Sequence, residues 1–382
     1  MDFDLNDEQR QLKDSIERLL ADSYGDLAQR QGYQKEAKGY GQRLWQHYAD
    51  LGLLAVPFAE QHGGLGQGLT ETMLIAEAFG RALAIEPYLA TVVLAGGALR
   101  HAGNEALLCG LVPAIAAGRL TLALAHQERQ ARYDLADTST TARADSKGGY
   151  TLEGEKCVVL HGDSADQLIV AARASGSRAE RGGIGLFLVA ADANGVTRRG
   201  YATQDGMRAA DVTLSAVRVA PEAVLAAPDQ GLAVLERVVD EAIAALSAEA
   251  VGAMAALTDL TVEYLKTRKQ FGVAIGSFQV LQHKSVDMFV ALEQARSMAA
   301  YATMMAGEPD ARERRKAISA AKVQIGRSAR LVGETAIQLH GGIGMTMEYK
   351  AGHYFKRLTM IDMAYGDADH HLRRLAAAGG LS

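Results

Sequence analysis

Cysteine and proline are scarce in this sequence, which contains two cysteines and six prolines among 382 residues. Two cysteines, Cys109 and Cys157, cannot build a disulfide framework, and the sequence contains no CxxC motif of the kind that binds a metal or cycles between thiol and disulfide. We therefore expect neither a disulfide nor a metal site, and we expect the protein to work in the reducing cytoplasm.

An excess of positive charge is also absent. The 40 lysines and arginines are outnumbered by 45 aspartates and glutamates, which gives a formal net charge of -5. The basic residues are spread along the chain apart from short clusters such as residues 312–316. The sequence therefore gives no overall attraction to nucleic-acid phosphates, and we expect no nucleic-acid partner.

Long apolar runs are missing as well. The longer ones, residues 184–191 and 242–246, are much shorter than the roughly 20 apolar residues that cross a membrane as a helix. The first residues are acidic and polar, so they lack the basic and apolar regions of a secretory signal. We expect no membrane span and no targeting segment.

Three segments of different hydrophobic periodicity follow one another along the chain. Helical spacing dominates up to about residue 120, short β-rich runs separated by Gly, Asp and Ser turns extend to about 224, and long helical runs occupy the remainder. The predicted helices are 12–21, 42–51, 71–82 and 88–98 in the first segment and 231–266, 278–306, 309–340 and 355–378 in the third. The predicted strands are 149–152, 157–160, 167–171 and 185–189.

This order predicts an α+β protein of several domains, because 382 residues are enough for more than one hydrophobic core. We expect an N-terminal helical domain at residues 1–120, a middle antiparallel β domain at 121–224 and a C-terminal four-helix bundle at 225–382. No short-period repeat and no low-complexity segment interrupts this order.

Two motifs in the third segment indicate a binding site. The first is Arg268-Lys269-Gln270-Phe271-Gly272, followed by Phe278-Gln279, and the second is Gln338-Leu339-His340-Gly341-Gly342-Ile343-Gly344. Arg268 follows a helical run, so its guanidinium can project beyond the helix towards a pyrophosphate. The glycines of the second motif leave a turn without side chains, where backbone N–H groups can approach a phosphate or an adenosine. Together the motifs predict a site for a flavin dinucleotide.

Both motifs resemble those of the acyl-CoA dehydrogenase family, in which an RxxFG…FQ segment and a QxHGGxG segment hold FAD, largely across a subunit boundary. The resemblance extends from end to end. Three further segments match in the same order, and they are residues 3–10, residues 51–57 together with the Gly63-Gly64-Leu65-Gly66 loop, and Leu152-Glu153-Gly154-Glu155-Lys156. Five matches in the correct order are specific, whereas any one alone is weak.

The resemblance implies the α–β–α fold of that family, with FAD as the cofactor and an acyl-CoA thioester as the substrate. It implies oxidation of the thioester to the 2,3-enoyl-CoA, an electron-transfer acceptor, and a homo- or hetero-tetramer with a homologous chain. The residues that it assigns to FAD binding are Arg268, Gln270, Phe271, Gln279, Gln338, Gly341 and Gly342.

The catalytic base departs from the family pattern. A carboxylate in an apolar cleft suits removal of the α proton, because desolvation raises its pKa. Most members carry a Glu beside a Gly in a C-terminal segment, where this chain has Tyr365, whose neutral phenol is a poor substitute. A second group carries its Glu on the first helix of the bundle, where this chain has Ala242, with Glu241 one residue earlier. Asp367, two residues beyond Tyr365, is the other candidate, so Glu241 and Asp367 are the candidate bases.

The middle segment departs from the family pattern as well. Members often carry TEPxxGSD, but this chain has QERQARYD at residues 127–134 and keeps only Glu128 and Asp134 at the spacing of the two acids. Val158 and Leu160 stand where members have Trp and Thr after the LxGxK lysine. Leu160 has no side-chain donor for the flavin N5, so a backbone N–H takes over that contact or the contact is missing.

The departures fall on the β segment and the base, while both FAD motifs are intact. Some acyl-CoA dehydrogenases are built from two different homologous subunits, one of which lends FAD contacts while the other carries the base. Residues 263–272 particularly resemble the small subunit of pimeloyl-CoA dehydrogenase-like enzymes. A non-catalytic subunit that completes the flavin site of a hetero-oligomer is therefore the alternative to a dehydrogenase with its own base, and a related flavin oxidase is the third hypothesis.

Overall fold

The computed structural model of the protein describes residues 5–379, so Phe3 and Asp4 of the first matching segment lie outside the described residues. The described chain divides into two compact units. The first unit comprises the residues up to Gly32, Leu69–Ala84 and the chain from Ile243 onward, and the second comprises Tyr33–Gly68 and Ile85–Ala242. The domain boundaries expected near residues 120 and 224 stay predictions.

The helices of residues 5–379 flank a central run of strands, in the predicted order. They are α1 (Asp7–Ser23), α2 (Leu27–Gln34), α3 (Gln42–Asp50), α4 (Leu69–Ala82), α5 (Gly96–Ala102), α6 (Glu105–Ala116), α7 (Gly231–Thr267), α8 (Gln279–Ala306), α9 (Ala311–His340), α10 (Lys350–Met363) and α11 (Ala368–Ala377). A π-helical turn, Leu89–Ala95, leads into α5. Helices α2 and α6 were not predicted, because α2 is short and polar while α6 is apolar on nearly all sides and contains Pro113.

One sheet of eight strands lies in the second unit. The strands are β1 (Leu122–Ala125), β2 (Thr141–Ala144), β3 (Tyr150–Leu160), β4 (Gln167–Arg173), β5 (Ile184–Ala190), β6 (Val196–Ala202), β7 (Arg208–Val219) and β8 (Val224–Ala226). Their order is β6-β7-β3-β2-β4-β5-β8, with β1 beside β4. Most neighbours are antiparallel as predicted, but β1 and β2 each pair with β4 in parallel. The core of the sheet contains Leu152, Val170, Phe187 and Val212, all of them fully buried.

Strand β3 leaves its regular pairing with β7 between Lys156 and Val159. Val158 lies in this irregularity with a φ of 51°, a backbone conformation that β-branched residues rarely adopt. Val158 is exposed, while its neighbours Cys157 and Val159 are buried. The irregularity therefore presents position 158 to solvent from within a strand.

Helices α4 and α7 cross at a pair of glycines in the first unit. A Cβ atom on Gly80 would lie 1.9 Å from the carbonyl oxygen of Glu249, and one on Gly252 would lie 1.9 Å from that of Glu77. The two backbones can approach this closely only because neither glycine carries a side chain. Glu249 also accepts hydrogen bonds from the Arg357 guanidinium at 2.5 and 2.8 Å, so a buried ion pair fastens α10 to α7.

The run predicted as one helix at 355–378 is two helices, α10 and α11. The chain turns at Tyr365 and Gly366, whose φ angles are 57° and 114°. Asp367 then begins α11, because its side chain accepts a hydrogen bond from the backbone N–H of His370 at 2.7 Å. The single-helix prediction was wrong because the positive φ angles at Tyr365 and Gly366 interrupt the helix, while the helical spacing of apolar residues continues through the turn.

Helix α7 is long and apolar enough to cross a membrane by length and composition. However, 83% of its qualifying 18-residue window is buried inside the protein. A helix that is apolar on several sides belongs to the core when other elements cover it, and α7 is such a helix.

Candidate functional site

Arg268 and Gln338, one from each motif, line the same cavity in the first unit. Arg268 follows the last residue of α7, and Gln338 lies in the last turn of α9. The cavity has a volume of about 770 Å³. It is lined by Tyr264, Arg268, Gln270, Ile275, Val280, Leu281, Lys284, Gln338, Leu339, His340, Gly341, Gly342 and Ile343. Two motifs that are far apart in sequence therefore meet in space.

The RKQFG segment begins a β-hairpin that has a two-residue turn. Strand β9 (Lys269–Gln270) pairs with β10 (Val273–Ala274), and Phe271 and Gly272 form the turn with φ angles of 54° and 80°. Positive φ at both turn residues matches the natural twist of a hairpin. The hairpin brings Gln270 to the cavity wall and carries Phe271 at its tip.

Two of the residues assigned to FAD lie outside the cavity lining. Phe271 is 91% exposed and meets Phe278 edge to face, with the ring centroids 6.1 Å apart. Gln279 is the exposed first residue of α8. The prediction that Phe271 and Gln279 contact the cofactor therefore stays a prediction.

The HGG turn begins where α9 ends. Gly341 has a φ of 62° and a ψ of -139°, a combination that is essentially restricted to glycine. A Cβ atom on Gly341 or Gly342 would meet only open space, so both positions leave the cavity wall without side chains. Gly344 differs, because a Cβ atom there would lie 3.0 Å from the Cβ of His340, so this glycine serves packing.

Two cations line the cavity. Within residues 5–379, neither the Arg268 guanidinium nor the Lys284 ammonium has a carboxylate partner. Lys284 was not predicted, although it lies four residues after Val280 and shares that face of α8. Cationic side chains without an ion-pair partner, beside a glycine turn, suit an anionic group such as a pyrophosphate.

His340 supplies an unsatisfied acceptor to the cavity wall. Its ring is buried against Tyr264 and Tyr349, with centroid distances of 4.7 and 5.0 Å. Nδ1 donates to the carbonyl oxygen of Ala336 at 2.8 Å, which leaves Nε2 as an acceptor, and Nε2 has no hydrogen-bond partner in the described part of the chain. Burial lowers the pKa of His340, so its imidazole is neutral at pH 7. A buried acceptor of this kind suits a donor on a ligand.

The donor set of this cavity fits FAD. Arg268 and Lys284 carry the charge that a pyrophosphate needs, and the amides of Gln270 and Gln338 offer both donors and acceptors to a nucleoside. The Nε2 atom of His340 can accept from a hydroxyl group. His340 lies within the second motif, but its role was not predictable because a sequence does not reveal which ring nitrogen lacks a partner.

Glu241, the first candidate base, is buried in an ion-pair cluster of the second unit. Its carboxylate accepts hydrogen bonds from Arg100 at 2.8 Å and His101 at 2.7 Å, and Arg237 lies 3.8 Å away. Burial alone would raise the pKa of Glu241, but the hydrogen bond from His101 and the charge of Arg100 outweigh this effect and lower the pKa to about 2. A carboxylate stabilised in this way is a weak base. These surroundings weigh against the predicted catalytic role.

The other two positions also have structural partners. Asp367 is half-buried and caps α11 through Oδ1. The carbonyl oxygen of Tyr365 accepts a hydrogen bond from the buried His371 at 3.1 Å, which fastens the turn between α10 and α11. Burial raises the pKa of the Tyr365 phenol far above its ordinary value, so the phenol stays neutral. The catalytic role of Asp367 stays a prediction.

The LxGxK and QERQARYD segments meet in a buried ion pair of the second unit. Lys156 Nζ lies 2.6 Å from Glu128 Oε1, and the Glu128 carboxylate also accepts hydrogen bonds from the backbone N–H groups of Ser139 and Thr140. The pair fastens the loop after β1 to β3, next to Val158. The two segments therefore keep a structural connection even though the sequence of residues 127–134 differs from the family pattern.

Three family models match successive parts of the chain. The N-terminal domain of acyl-CoA dehydrogenase matches residues 6–119, the middle domain matches residues 123–217 and the C-terminal domain matches residues 229–380.

The similarity to two relatives extends over nearly the whole chain. The acyl-CoA dehydrogenase IpdE2 of Mycobacterium tuberculosis is 30% identical over 355 residues, which cover 92% of this chain and 91% of the relative. The probable acyl-CoA dehydrogenase YngJ of Bacillus subtilis is 27% identical over 383 residues, which cover 99% of both chains.

Solved structures share the fold over the same extent. The Tcur3481-Tcur3483 steroid ACAD is 30% identical, with a TM-score of 0.86 over 98% of this chain and 99% of that one. A chain of the ChsE4-ChsE5 complex from Mycobacterium tuberculosis is 25% identical, with a TM-score of 0.87 over 100% of this chain and 100% of that one. With its two FAD motifs at one cavity and the three domains matched in order, the protein belongs to the acyl-CoA dehydrogenase family of FAD-dependent oxidoreductases.

Proposed function

We propose that this chain forms part of an FAD-dependent acyl-CoA dehydrogenase that oxidises an acyl-CoA thioester to the 2,3-enoyl-CoA. The observation that supports the proposal most directly is the single cavity that Arg268 and Gln338 both line. In the proposal, Arg268 and Lys284 neutralise the pyrophosphate of FAD, and Gln338 binds the dinucleotide beside the open turn at Gly341. Because these residues hold the cofactor, a substitution at Arg268 weakens FAD retention more than it weakens folding.

The reaction removes a proton from the α carbon and a hydride equivalent from the β carbon, and a double bond forms between the two carbons. FAD supplies the hydride acceptor when it is bound. The protein must supply the base that takes the α proton, and it must hold the thioester so that both carbons are in reach of their acceptors.

We assign the base to a second, homologous chain. Glu241 is held by Arg100 and His101, Asp367 caps α11, and the Tyr365 phenol is neutral. The similar structures Tcur3481-Tcur3483 and ChsE4-ChsE5 are each named for two proteins, which favours a hetero-oligomer for this chain as well. This chain then completes a flavin site whose base lies on its partner, in a hetero-tetramer.

The exposed hairpin supports an assembly with a second chain. Phe271 and the neighbouring Val273, Phe278 and Val280 are all exposed, and the rings of Phe271 and Phe278 are in contact. An exposed apolar patch of this kind indicates an interaction site. We infer that Phe271 and Gln279 contact FAD or the partner chain in the assembly. We also place the enzyme in the cytoplasm, where a separate electron-transfer acceptor takes the electrons from the reduced cofactor.

A homo-oligomer with its own base is the second candidate, and Asp367 favours it. Within residues 5–379, Oδ1 of Asp367 bonds to the backbone of His370, and Oδ2 has no bonding partner. One carboxylate oxygen is therefore free to accept a proton.

Visible spectra of the purified chain distinguish these assemblies. The chain is purified alone and after co-expression with homologous chains encoded by the same organism, and the flavin spectrum is recorded anaerobically before and after addition of butyryl-, octanoyl- or palmitoyl-CoA. We expect weak flavin retention and no bleaching for the chain alone, and retained flavin that is bleached by one thioester in a hetero-oligomer. Full retention and bleaching by the chain alone would establish the homo-oligomer. Loss of flavin binding in every combination would overturn the proposal.

A further inference from the structure

His62, Glu105 and Cys109 gather at one place in the second unit, and none of them belongs to the FAD cavity. Their ligand atoms all lie within 4.8 Å of one another. The carboxylate Oε1 of Glu105 lies 2.8 Å from Nε2 of His62 and 3.6 Å from Sγ of Cys109. His62 lies 43 residues before Glu105, and the three residues form no recognised metal-binding motif, so the sequence did not predict a metal site here.

Helix α6 places two of the three side chains. Glu105 and Cys109 are four residues apart, so they share one face of this helix. The start of α6 is fixed by Asn104, whose side chain accepts from the backbone N–H of Leu107 and donates to the carbonyl oxygen of Val224. Both Glu105 and Cys109 are exposed, so their side chains can adjust to a ligand.

A tightly bonded glycine loop places the third side chain. His62 ends a 3-10 turn, Glu60–His62, immediately before the Gly63-Gly64-Leu65-Gly66 loop. A Cβ atom on Gly64 would lie 2.0 Å from the carbonyl oxygen of Phe58, so the loop packs directly on the backbone before it. The His62 ring is 7% exposed, and only its Nε2 edge meets Glu105. The imidazole is therefore held in place before any ligand binds.

We propose that His62, Glu105 and Cys109 bind a zinc ion. Imidazole nitrogen, carboxylate oxygen and thiolate sulfur are the three ligand types that zinc uses in proteins, whereas Mg²⁺ and Ca²⁺ require sites built from oxygen. Ligand atoms of a tetrahedral zinc ion lie about 3.3–3.8 Å apart, given bond lengths of about 2.0–2.3 Å. The observed separation of Sγ and Oε1 is in this range, that of Nε2 and Oε1 is shorter, and Nε2 and Sγ lie within 4.8 Å of each other. Rotation of the exposed Glu105 and Cys109 side chains adjusts these separations to the ion.

The fourth position of the zinc ion belongs to water or to Gln61. The side-chain amide nitrogen of Gln61 lies 3.4 Å from Nε2 of His62, and rotation of the amide by half a turn would put its oxygen there instead. In either case the ion joins the glycine loop to α6. Binding to the folded chain alone then raises the stability of this unit with the logarithm of the zinc concentration once that concentration exceeds the dissociation constant.

The competing interpretation is that His62 and Glu105 simply join the loop to α6 through their hydrogen bond, with Cys109 as a neighbour. Zinc then has no effect on the thiol. The rate at which iodoacetamide alkylates Cys109 separates the two interpretations, because a zinc-bound thiolate is protected and Cys109 is exposed in the absence of metal. The buried Cys157 provides an internal reference for unfolding.

We expect Zn²⁺ at micromolar concentration to slow alkylation of Cys109 in the chelator-treated full chain by about tenfold or more. We expect titration calorimetry to detect one zinc site in the wild type and a loss of affinity on the order of 100-fold in Cys109→Ser and Glu105→Gln. Glu60→Gln removes an exposed charge from the same turn without removing a ligand, so it should bind zinc as the wild type does.

An alkylation rate that does not depend on zinc, or equal zinc affinity in Cys109→Ser and the wild type, would overturn the proposal. Both ligand substitutions are at exposed positions, and thermal melting of each metal-free variant checks that it folds. FAD content is measured in the same samples. It is expected to be unchanged, so a failure of the zinc site is distinguishable from a failure of the flavin site.

Discussion

Lys156 and Glu128 form an ion pair at 2.6 Å in which the side chains are 0% and 2% exposed. Burial opposes ionisation of Glu128, but the charge of Lys156 and hydrogen bonds from Lys156, Ser139 and Gln130 lower the pKa of this carboxyl well below its ordinary value. The pair therefore has an ionised carboxylate at neutral pH. It connects the two segments of the second unit that flank the exposed Val158.

Substitution of Lys156 by methionine should destabilise the protein strongly. Lys156→Met leaves the Glu128 charge buried without its cation, and loss of one partner from a buried pair costs about 3–5 kcal/mol. The measurement is the urea midpoint of unfolding. Lys147→Met, at an exposed position of the turn before β3, is the matched control and should shift the midpoint little. Equal midpoints for the two variants would contradict the structural role of the pair.

Loss of the Arg268 guanidinium should weaken FAD binding more than it weakens folding. Arg268 lines the cavity and has no carboxylate partner in residues 5–379, so Arg268→Ala removes no ion pair that stabilises the described chain. One charge-assisted hydrogen bond contributes about 1.5–3 kcal/mol, so FAD affinity should fall by roughly 10–100-fold. Flavin content after gel filtration and fluorescence titration with FAD measure this effect.

The matched control for Arg268→Ala is Arg312→Ala. Arg312 is exposed at the first turn of α9, while the cavity lies at the other end of this helix, about 40 Å away at 1.5 Å per residue. Arg312→Ala should retain FAD as the wild type does. Equal flavin loss in both variants would point to a general effect of charge and would remove Arg268 from the site.

Replacement of His340 by phenylalanine should separate FAD binding from stability. Phenylalanine keeps the ring that packs against Tyr264 and Tyr349. It removes the unpartnered Nε2 acceptor, whose burial is unfavourable, together with the bond from Nδ1 to the carbonyl oxygen of Ala336, so the two effects on stability oppose each other. We expect FAD affinity to fall by about 2–10-fold, the effect of one neutral hydrogen bond, while the melting temperature of the FAD-free chain changes little. An unchanged FAD affinity in His340→Phe would show that Nε2 does not meet the cofactor.

The two motifs were predictable because the backbone conformation of each is set by residues within the motif itself. Phe271-Gly272 forms a hairpin turn, Gly341 adopts a conformation restricted to glycine, and Arg268 follows a helix whose apolar spacing is long and regular. The resemblance to a family then supplied the distance constraint that brings these segments together. Their convergence on one cavity follows from the packing of α9 against α8, which local patterns do not specify.

The remaining features depend on contacts between residues far apart in sequence. Lys284 and His340 become recognisable only when the cavity wall is known, since a lysine without an ion-pair partner and an unsatisfied ring nitrogen leave no mark on the sequence. Glu241 was a candidate base by its position along α7, but its cations Arg100 and His101 come from a separate helix. Long-range pairing of this kind decides whether a carboxylate can act as a base or is held in a structural ion pair.

The Glu241 cluster should give the protein a pH-dependent stability below neutral pH. The pKa of Glu241 falls from an ordinary value of 4.5 to about 2 on folding, and its side chain is 3% exposed. A carboxyl with a lowered folded-state pKa stabilises the fold above its unfolded-state pKa, so this contribution of roughly 3 kcal/mol is present above about pH 4.5 and is lost as the pH falls towards 2.

Glu241→Gln should therefore be less stable than the wild type at pH 7, and the difference should shrink between about pH 4.5 and pH 2. Urea unfolding at pH 7, 4.5 and 3 measures this change. Glu153→Gln, at an exposed position of β3, is the control and should leave the pH profile unaltered. A constant difference between Glu241→Gln and the wild type over this range would show that Glu241 has an ordinary pKa in the folded state.

Asp367 offers the sharpest test of where the base resides, because its two roles respond differently to one substitution. Asparagine caps a helix about as well as aspartate, so Asp367→Asn should keep the bond to the His370 backbone and the stability of α11 while removing the proton acceptor. If a partner chain carries the base, the rate of flavin reduction by acyl-CoA in the assembled enzyme should stay within about twofold of the wild type. A fall by about 10²–10⁴-fold with unchanged stability would instead identify Asp367 as the base of this chain. Asp367→Ala completes the comparison, since it should cost about 1 kcal/mol through loss of the cap whichever chain carries the base.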